Sequence, residues 1–242
     1  MSELLTINGL TKRFGGLTAV NAVSFSIHRG EVVGLLGPNG SGKTTVMNMI
    51  SGHLAPTGGT IALGKETISG LAANRIALKG VARTFQLVRG LPSLTVAENV
   101  IAALAFGRQK LWGQAARTEA LSRLDEVGLA HRADQSAQDL TYIDQKRMEL
   151  ARALAAQPEL LLLDEWLAGL NPTELKTGIE LIRSIQKRGV TILLVEHVMD
   201  AIRALCGRCV VMNAGRKIAD GPTAEALADR EVINAYLGDA HA

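Results

Sequence analysis

Gly37-Pro38-Asn39-Gly40-Ser41-Gly42-Lys43-Thr44-Thr45, set between the apolar run Val32-Val33-Gly34-Leu35-Leu36 and a segment of helical character, decides how the rest of this chain is read. The glycine, lysine and threonine spacing is that of a phosphate-binding loop. A helix that opens near Lys43 leaves its first backbone N–H groups without intrahelical acceptors, and those groups point at an anion. The glycines let the backbone close round the phosphates without side-chain clash. In the chemistry this motif implies, Lys43 reaches the β- and γ-phosphates as a compact cation and the Thr44 hydroxyl ligates Mg²⁺. A chance glycine-rich turn would not come with strand and helix correctly placed on either side. The stretch therefore points to a nucleoside triphosphate as ligand.

The second informative stretch is Leu160-Leu161-Leu162-Leu163-Asp164-Glu165. It reads as a buried strand ending in two carboxylates, and in a sheet that carries a phosphate loop such a strand end faces the nucleotide. Asp164 is expected to hold Mg²⁺ through water, and Glu165 to polarise an attacking water.

Around these two sites the chain alternates. Strands are expected over 4–10, 22–27 and 31–36, a helix over 44–51, a strand over 60–63 after a break at Gly58-Gly59, a helix over 68–78 and a strand over 81–85. From 91 to 156 the character is helical, with helices over 95–106, 115–127 and 144–156, which reads as an inserted helical lobe. Alternation resumes with a strand over 160–163, a helix over 172–187, a strand over 190–195 and a helix over 198–204, the pattern of a parallel sheet covered by helices. A hairpin about Asn213-Ala214-Gly215 and a helix over 231–237 complete the series.

Composition excludes several classes. The 242 residues suffice for one large domain or a domain with an inserted lobe. A net charge of +3 with 20% charged residues is only a slight basic excess, weak evidence for a nucleic acid or anionic membrane partner, and no nucleic-acid partner is expected. Cys206 and Cys209 read as reduced core thiols, because no second Cys or His pair lies at metal-ligand spacing. Met1-Ser2-Glu3-Leu4-Leu5 lacks the basic and apolar pattern of a secretory leader, and no apolar run approaches a bilayer span. Work at a membrane would then require docking to another subunit.

With both sites in place, the chain resembles the nucleotide-binding subunits of ABC transporters, because further landmarks recur in that family's order. Phe14, in Lys12-Arg13-Phe14-Gly15, stands where the family places an aromatic on adenine. Gln86, after Val81-Ala82-Arg83-Thr84-Phe85, matches the glutamine that reaches Mg²⁺ and the attacking water and whose loop touches the membrane subunit. Ala168-Gly169-Leu170-Asn171-Pro172 matches the turn that crosses the dimer seam, and His197 the histidine that contacts the γ-phosphate. The resemblance implies an α/β P-loop NTPase of ABC type, with a mostly parallel sheet core, an antiparallel β-rich N-terminal lobe and an inserted helical subdomain over 91–156 of a single domain over 1–242. It implies ATP and Mg²⁺ as cofactors, with Thr44, Gln86 and Asp164 about the metal and Glu165, His197 and Gln86 as the catalytic set. Its implied partners are a second ATPase subunit, identical or not, transmembrane permease subunits, and indirectly an external solute-binding protein. The implied location is peripheral, on the cytoplasmic face of the plasma (inner) membrane.

Closer similarity is to the ATPases that drive uptake of branched-chain and related amino acids. It rests on Gly37-Pro38-Asn39-Gly40, Arg83-Thr84-Phe85-Gln86, Gly169-Leu170-Asn171-Pro172-Thr173, Val195-Glu196-His197 and Tyr236-Leu237-Gly238. Two departures stand out. The family signature, usually Leu-Ser-Gly-Gly-Gln at a helix start that receives the partner's γ-phosphate, is here Leu140-Thr141-Tyr142-Ile143-Asp144. Thr141 keeps the hydroxyl, but Ile143 puts a β-branched side chain where a glycine would let phosphate approach and left-handed dihedrals form, and Asp144 adds a competing carboxylate. The second departure is Trp166, where relatives usually carry proline; packing against the helical lobe is expected for it. The weakened signature suits an asymmetric pair, and it leaves open an alternative in which the chain is a nucleotide-gated subunit with weak hydrolysis beside a competent partner, or serves an importer of another small solute.

Overall fold

The computed structural model describes residues 2–238. β1 (Glu3–Phe14) and β2 (Leu17–His28) form an antiparallel hairpin about Gly15 and Gly16. Both strands are longer than their alternation suggests. Bulges at Gly9 (φ 59°) and Ala22 (φ 50°) let the strands continue where the period-two pattern breaks. β3 (Val32–Leu36) leads through the glycine loop into α1 (Lys43–Ile50). β4 (Gly58–Leu63) and β5 (Glu66–Thr67) join the hairpin in a four-stranded antiparallel sheet of order β2-β1-β4-β5. The helix expected over 68–78 shrinks to α2 (Ala73–Leu78), because Gly70 sits in the left-handed region at φ 73°.

After β6 (Val81–Arg83) come α3 (Val96–Phe106), α4 (Gly113–Glu126) and α5 (Tyr142–Ala155). Val96, Val100 and Leu104 on α3, and Ala116, Ala120 and Leu124 on α4, recur every fourth residue and are buried. Thr95 caps α3 reciprocally: its hydroxyl accepts from the Glu98 N–H at 3.2 Å and Glu98 Oε2 accepts from the Thr95 N–H at 2.8 Å.

β7 (Leu160–Asp164), α6 (Pro172–Lys187), β8 (Thr191–Val195), α7 (Met199–Leu205), β9 (Arg208–Asn213), β10 (Arg216–Pro222), α8 (Thr223–Ala228) and α9 (Arg230–Gly238) follow. The second sheet has the order β10-β9-β3-β8-β7-β6, parallel except for β10. This bears out the expected parallel core with a separate antiparallel lobe.

Period-two alternation divides the parallel strands between two cores. Leu161, Leu163, Ile192, Leu194 and Leu36 pack with α3, α4, α5 and α6, whereas Leu160, Leu162, Leu193, Val195 and Leu35 pack with α1 and the antiparallel sheet. With both faces covered, the chemistry can lie only at the strand ends. The carboxyl ends of β3, β8 and β7 are successive neighbours, which brings the glycine loop, Glu196-His197 and Asp164-Glu165 to one edge.

Candidate active site

The glycine loop folds as its residue types require. Gly42 caps α1 at φ 104° with no side-chain cap, so the first-turn N–H groups of that helix are free for a ligand. A Cβ on Gly37 would sit 2.1 Å from the Met212 carbonyl oxygen, and one on Gly42 would sit 2.6 Å from that of Ala19. Only glycine fits either place. Lys43 is buried, and its Nζ donates to the Gly37 and Pro38 carbonyls at 2.7 and 2.9 Å. Burial lowers the pKa of this ammonium, and the nearby Glu165 and Asp164 carboxylates pull it back up.

Among the described residues the buried Ser41 hydroxyl has no hydrogen-bond partner, and it lies two residues before the uncapped start of α1. Such an orphan oxygen, an uncapped helix start and a glycine cradle fit a polyphosphate. Asn39 and Gly40 are exposed at the tip of the loop, and Thr44 is exposed on the first turn of α1. The hydroxyl of Thr44, the carboxylate of Asp164 and the amide oxygen of Gln86 are hard oxygen donors, the chemical type that magnesium prefers.

Opposite the loop, Glu165 carries φ 50°, a left-handed backbone that glutamate seldom adopts. Its two carboxylate oxygens are held separately. Gln86 Nε2 donates to Oε2 at 2.7 Å, and His197 Nε2 lies 2.7 Å from Oε1. Gln86 and His197, 79 and 32 positions from Glu165 along the chain, therefore meet on its carboxylate. Asp164 is 5% exposed and pairs with Arg83, whose Nη2 donates to Oδ2 at 2.8 Å. Arg83 also donates to Asn48 Oδ1 and Ser51 Oγ on the phosphate-loop helix side. Sequence reading did not assign Arg83 to the site. An arginine at a strand end signals nothing until strand order places it beside Asp164.

Phe14 ends β1 and is 46% exposed, with the Lys12 ammonium over its ring 5.1 Å from the centroid. The signature helix differs from its sequence-based reading. Thr141 caps α5, its hydroxyl accepting from the Asp144 N–H and donating to Asp144 Oδ2 at 2.9 Å. Asp144 is buried and also meets Arg132 at 3.3 Å and Arg147 at 3.5 Å. Its carboxylate thus engages the hydroxyl and two guanidiniums, where competition for helix N–H groups was expected. Residue 143 is helical and right-handed, so no left-handed dihedral is demanded of Ile143. Its side chain lines a cleft with Trp166 and Leu181. Trp166 is 2% exposed and packs on α5, as expected. Tyr236 supplies a contact that sequence reading did not foresee: its hydroxyl accepts from the Gly37 N–H at 2.8 Å.

The fold is that of the ATP-binding cassette ATPases, and the chain belongs to the ABC transporter family, whose sequence profile matches residues 20–168. Its C-terminal part narrows the likeness. A profile described as branched-chain amino acid ATP-binding cassette transporter matches residues 216–242. Over 251 residues, 98% of both chains, it is 44% identical to the high-affinity branched-chain amino acid transport ATP-binding protein LivG of Escherichia coli (strain K12). It is 42% identical over 256 residues, again 98% of both, to BraF, a protein of the same description from Pseudomonas aeruginosa. A solved ATP-binding cassette of an ABC transporter in its ADP conformation superposes with a TM-score of 0.89 at 28% identity, over 98% of this chain and 100% of that one. A dimeric cassette in a post-hydrolysis state with ADP and Pi gives 0.82 at 26% identity, over 90% of this chain and 98% of that one. Among the described residues no helix is long and apolar enough to cross a membrane.

Proposed function

We propose that this chain is the ATP-hydrolysing subunit of an importer for branched-chain or related amino acids, bound peripherally at the cytoplasmic face of the inner membrane. The observation that carries the catalytic part is the Glu165 carboxylate, held between Gln86 and His197 at the strand end beside the phosphate loop. In this reading residues 37–45 cradle the triphosphate, Lys43 neutralises its β- and γ-oxygens, and Phe14 stacks on the base. Thr44, Gln86 and Asp164 would hold Mg²⁺, which supplies charge neutralisation on the phosphates. Glu165 takes the proton of the attacking water, and His197 steadies the γ-phosphate. Thr141 and the start of α5 serve the nucleotide of a partner subunit.

The whole of 1–242 acts as one nucleotide-binding domain with 91–156 as its helical subdomain. Its partners are a second ATPase subunit and transmembrane permease subunits, with an external solute-binding protein reached only through them. Amino acid import is supported by the transport descriptions of the relatives and by the C-terminal match. A second reading, nucleotide gating with weak hydrolysis, is favoured by one observation: Asp144 already engages the Thr141 hydroxyl. One experiment separates the two. Phosphate release by the purified membrane complex should fall by two orders of magnitude or so in Glu165→Gln while ATP binding persists. A wild-type rate no higher than that of the variant would favour gating.

A further inference from the structure

Lys146 lies on α5 with 2% of its surface exposed, and nothing in the proposed hydrolysis uses it. A buried ammonium must find acceptors. This one finds them on a single short segment: its Nζ donates to the carbonyls of Glu165, Trp166 and Ala168 at 3.2, 3.0 and 2.7 Å. The Trp166 indole N–H returns a bond to the Lys146 carbonyl at 3.0 Å, so helix and segment are tied in both directions. From the other side, the buried Glu196 carboxylate accepts the Leu167 N–H at 2.5 Å and the His197 N–H at 3.3 Å. The Tyr142 ring lies over the ammonium, with its centroid 4.8 Å from Nζ.

The segment held in this way begins with Glu165, whose backbone stands at φ 50°. A conformation that a glutamate seldom adopts persists only where its surroundings over-determine it. Here the surroundings are one cation, one indole and one anion, all buried. We propose that Lys146, with Trp166 as its return bond, is a positioning residue for hydrolysis: it fixes the backbone from which the Glu165 carboxylate reaches the attacking water. The inference rests on the reading of Glu165 as the base. It adds that the signature helix supports the base of its own chain, besides serving the partner's nucleotide.

The test uses the full chain, with its membrane subunits where they copurify, and measures kcat and KM for Mg-ATP hydrolysis beside ATP affinity. Lys146→Met should lower kcat at least ~10-fold with KM and affinity within about twofold, and Lys146→Arg should recover much of the loss. Trp166→Phe keeps an aromatic ring there and loses the indole N–H, and should lower kcat several-fold with the same split, which covers the case that Lys146→Met does not fold. Because positioning acts only through Glu165, adding Trp166→Phe or Lys146→Met to Glu165→Gln should leave the residual rate unchanged. Wild-type kcat in both Lys146→Met and Trp166→Phe, or losses that multiply with that of Glu165→Gln, would overturn the proposal. If Glu165→Gln itself turned over normally, the reading of the base would fall first, and that result is seen independently of Lys146.

Discussion

The N–H of Gly37 and the hydroxyl of Tyr236 meet across 199 positions of chain. Gly37 begins the phosphate loop and is buried, and its amide takes its acceptor from outside the loop. Burial pushes the Tyr236 phenol above its ordinary pKa, and the hydroxyl stays protonated well into alkaline solution. Tyr236→Phe removes that acceptor while keeping the ring. A net hydrogen bond is worth about 0.5–1.5 kcal/mol, so nucleotide affinity should weaken roughly 2- to 10-fold. Titration of a fluorescent ATP analogue measures this, and an unchanged Kd would show that the loop does not depend on α9.

The start of α5 is where local chemistry and family pattern diverge. Thr141, Asp144, Arg132 and Arg147 form a closed set of hydrogen bonds and ion pairs, and an acidic residue in the first turn favours the helix by about 0.3–1 kcal/mol. Stability gained in this way leaves less for an incoming phosphate. Ile143 puts a branched side chain in the same first turn and lines a cleft with Trp166 and Leu181. Ile143→Gly should therefore have two opposed effects. Loss of packing and of helix propensity should cost about 2 kcal/mol, seen as a lower melting temperature. ATP-driven association or turnover should rise several-fold, since the backbone becomes approachable. If melting drops and neither association nor turnover rises, Ile143 is only a packing residue and the signature is not limited by it.

At the scale of the molecule, legibility followed sequence distance. The glycine loop and the Asp164-Glu165 strand end are local and were readable from residue types, whereas Asn171, read only as part of a turn, also caps α6, its Oδ1 accepting from the Thr173 and Glu174 N–H groups. Arg83 on Asp164, Lys146 on Trp166 and Tyr236 on Gly37 were not readable, since each depends on a strand order or helix docking that periodicity does not encode. The same distinction bears on assembly. Gln86 and His197 hold the Glu165 carboxylate at the strand end, whereas Thr141 at the start of α5 bonds to Asp144 on its own helix. In the proposed function, that helix start completes the site of a second copy or a related subunit. A bound γ-phosphate is then the element that joins two chains, and its removal by hydrolysis releases them. Glu165→Gln should trap the joined state. In sedimentation it should shift from the mass of a single 25.7 kDa chain to twice that mass with Mg-ATP and not with ADP, whereas the wild type should shift only transiently. A Glu165→Gln protein saturated with Mg-ATP that stayed at the single-chain mass would rule out self-pairing and direct the search to a distinct subunit bearing an unaltered signature helix.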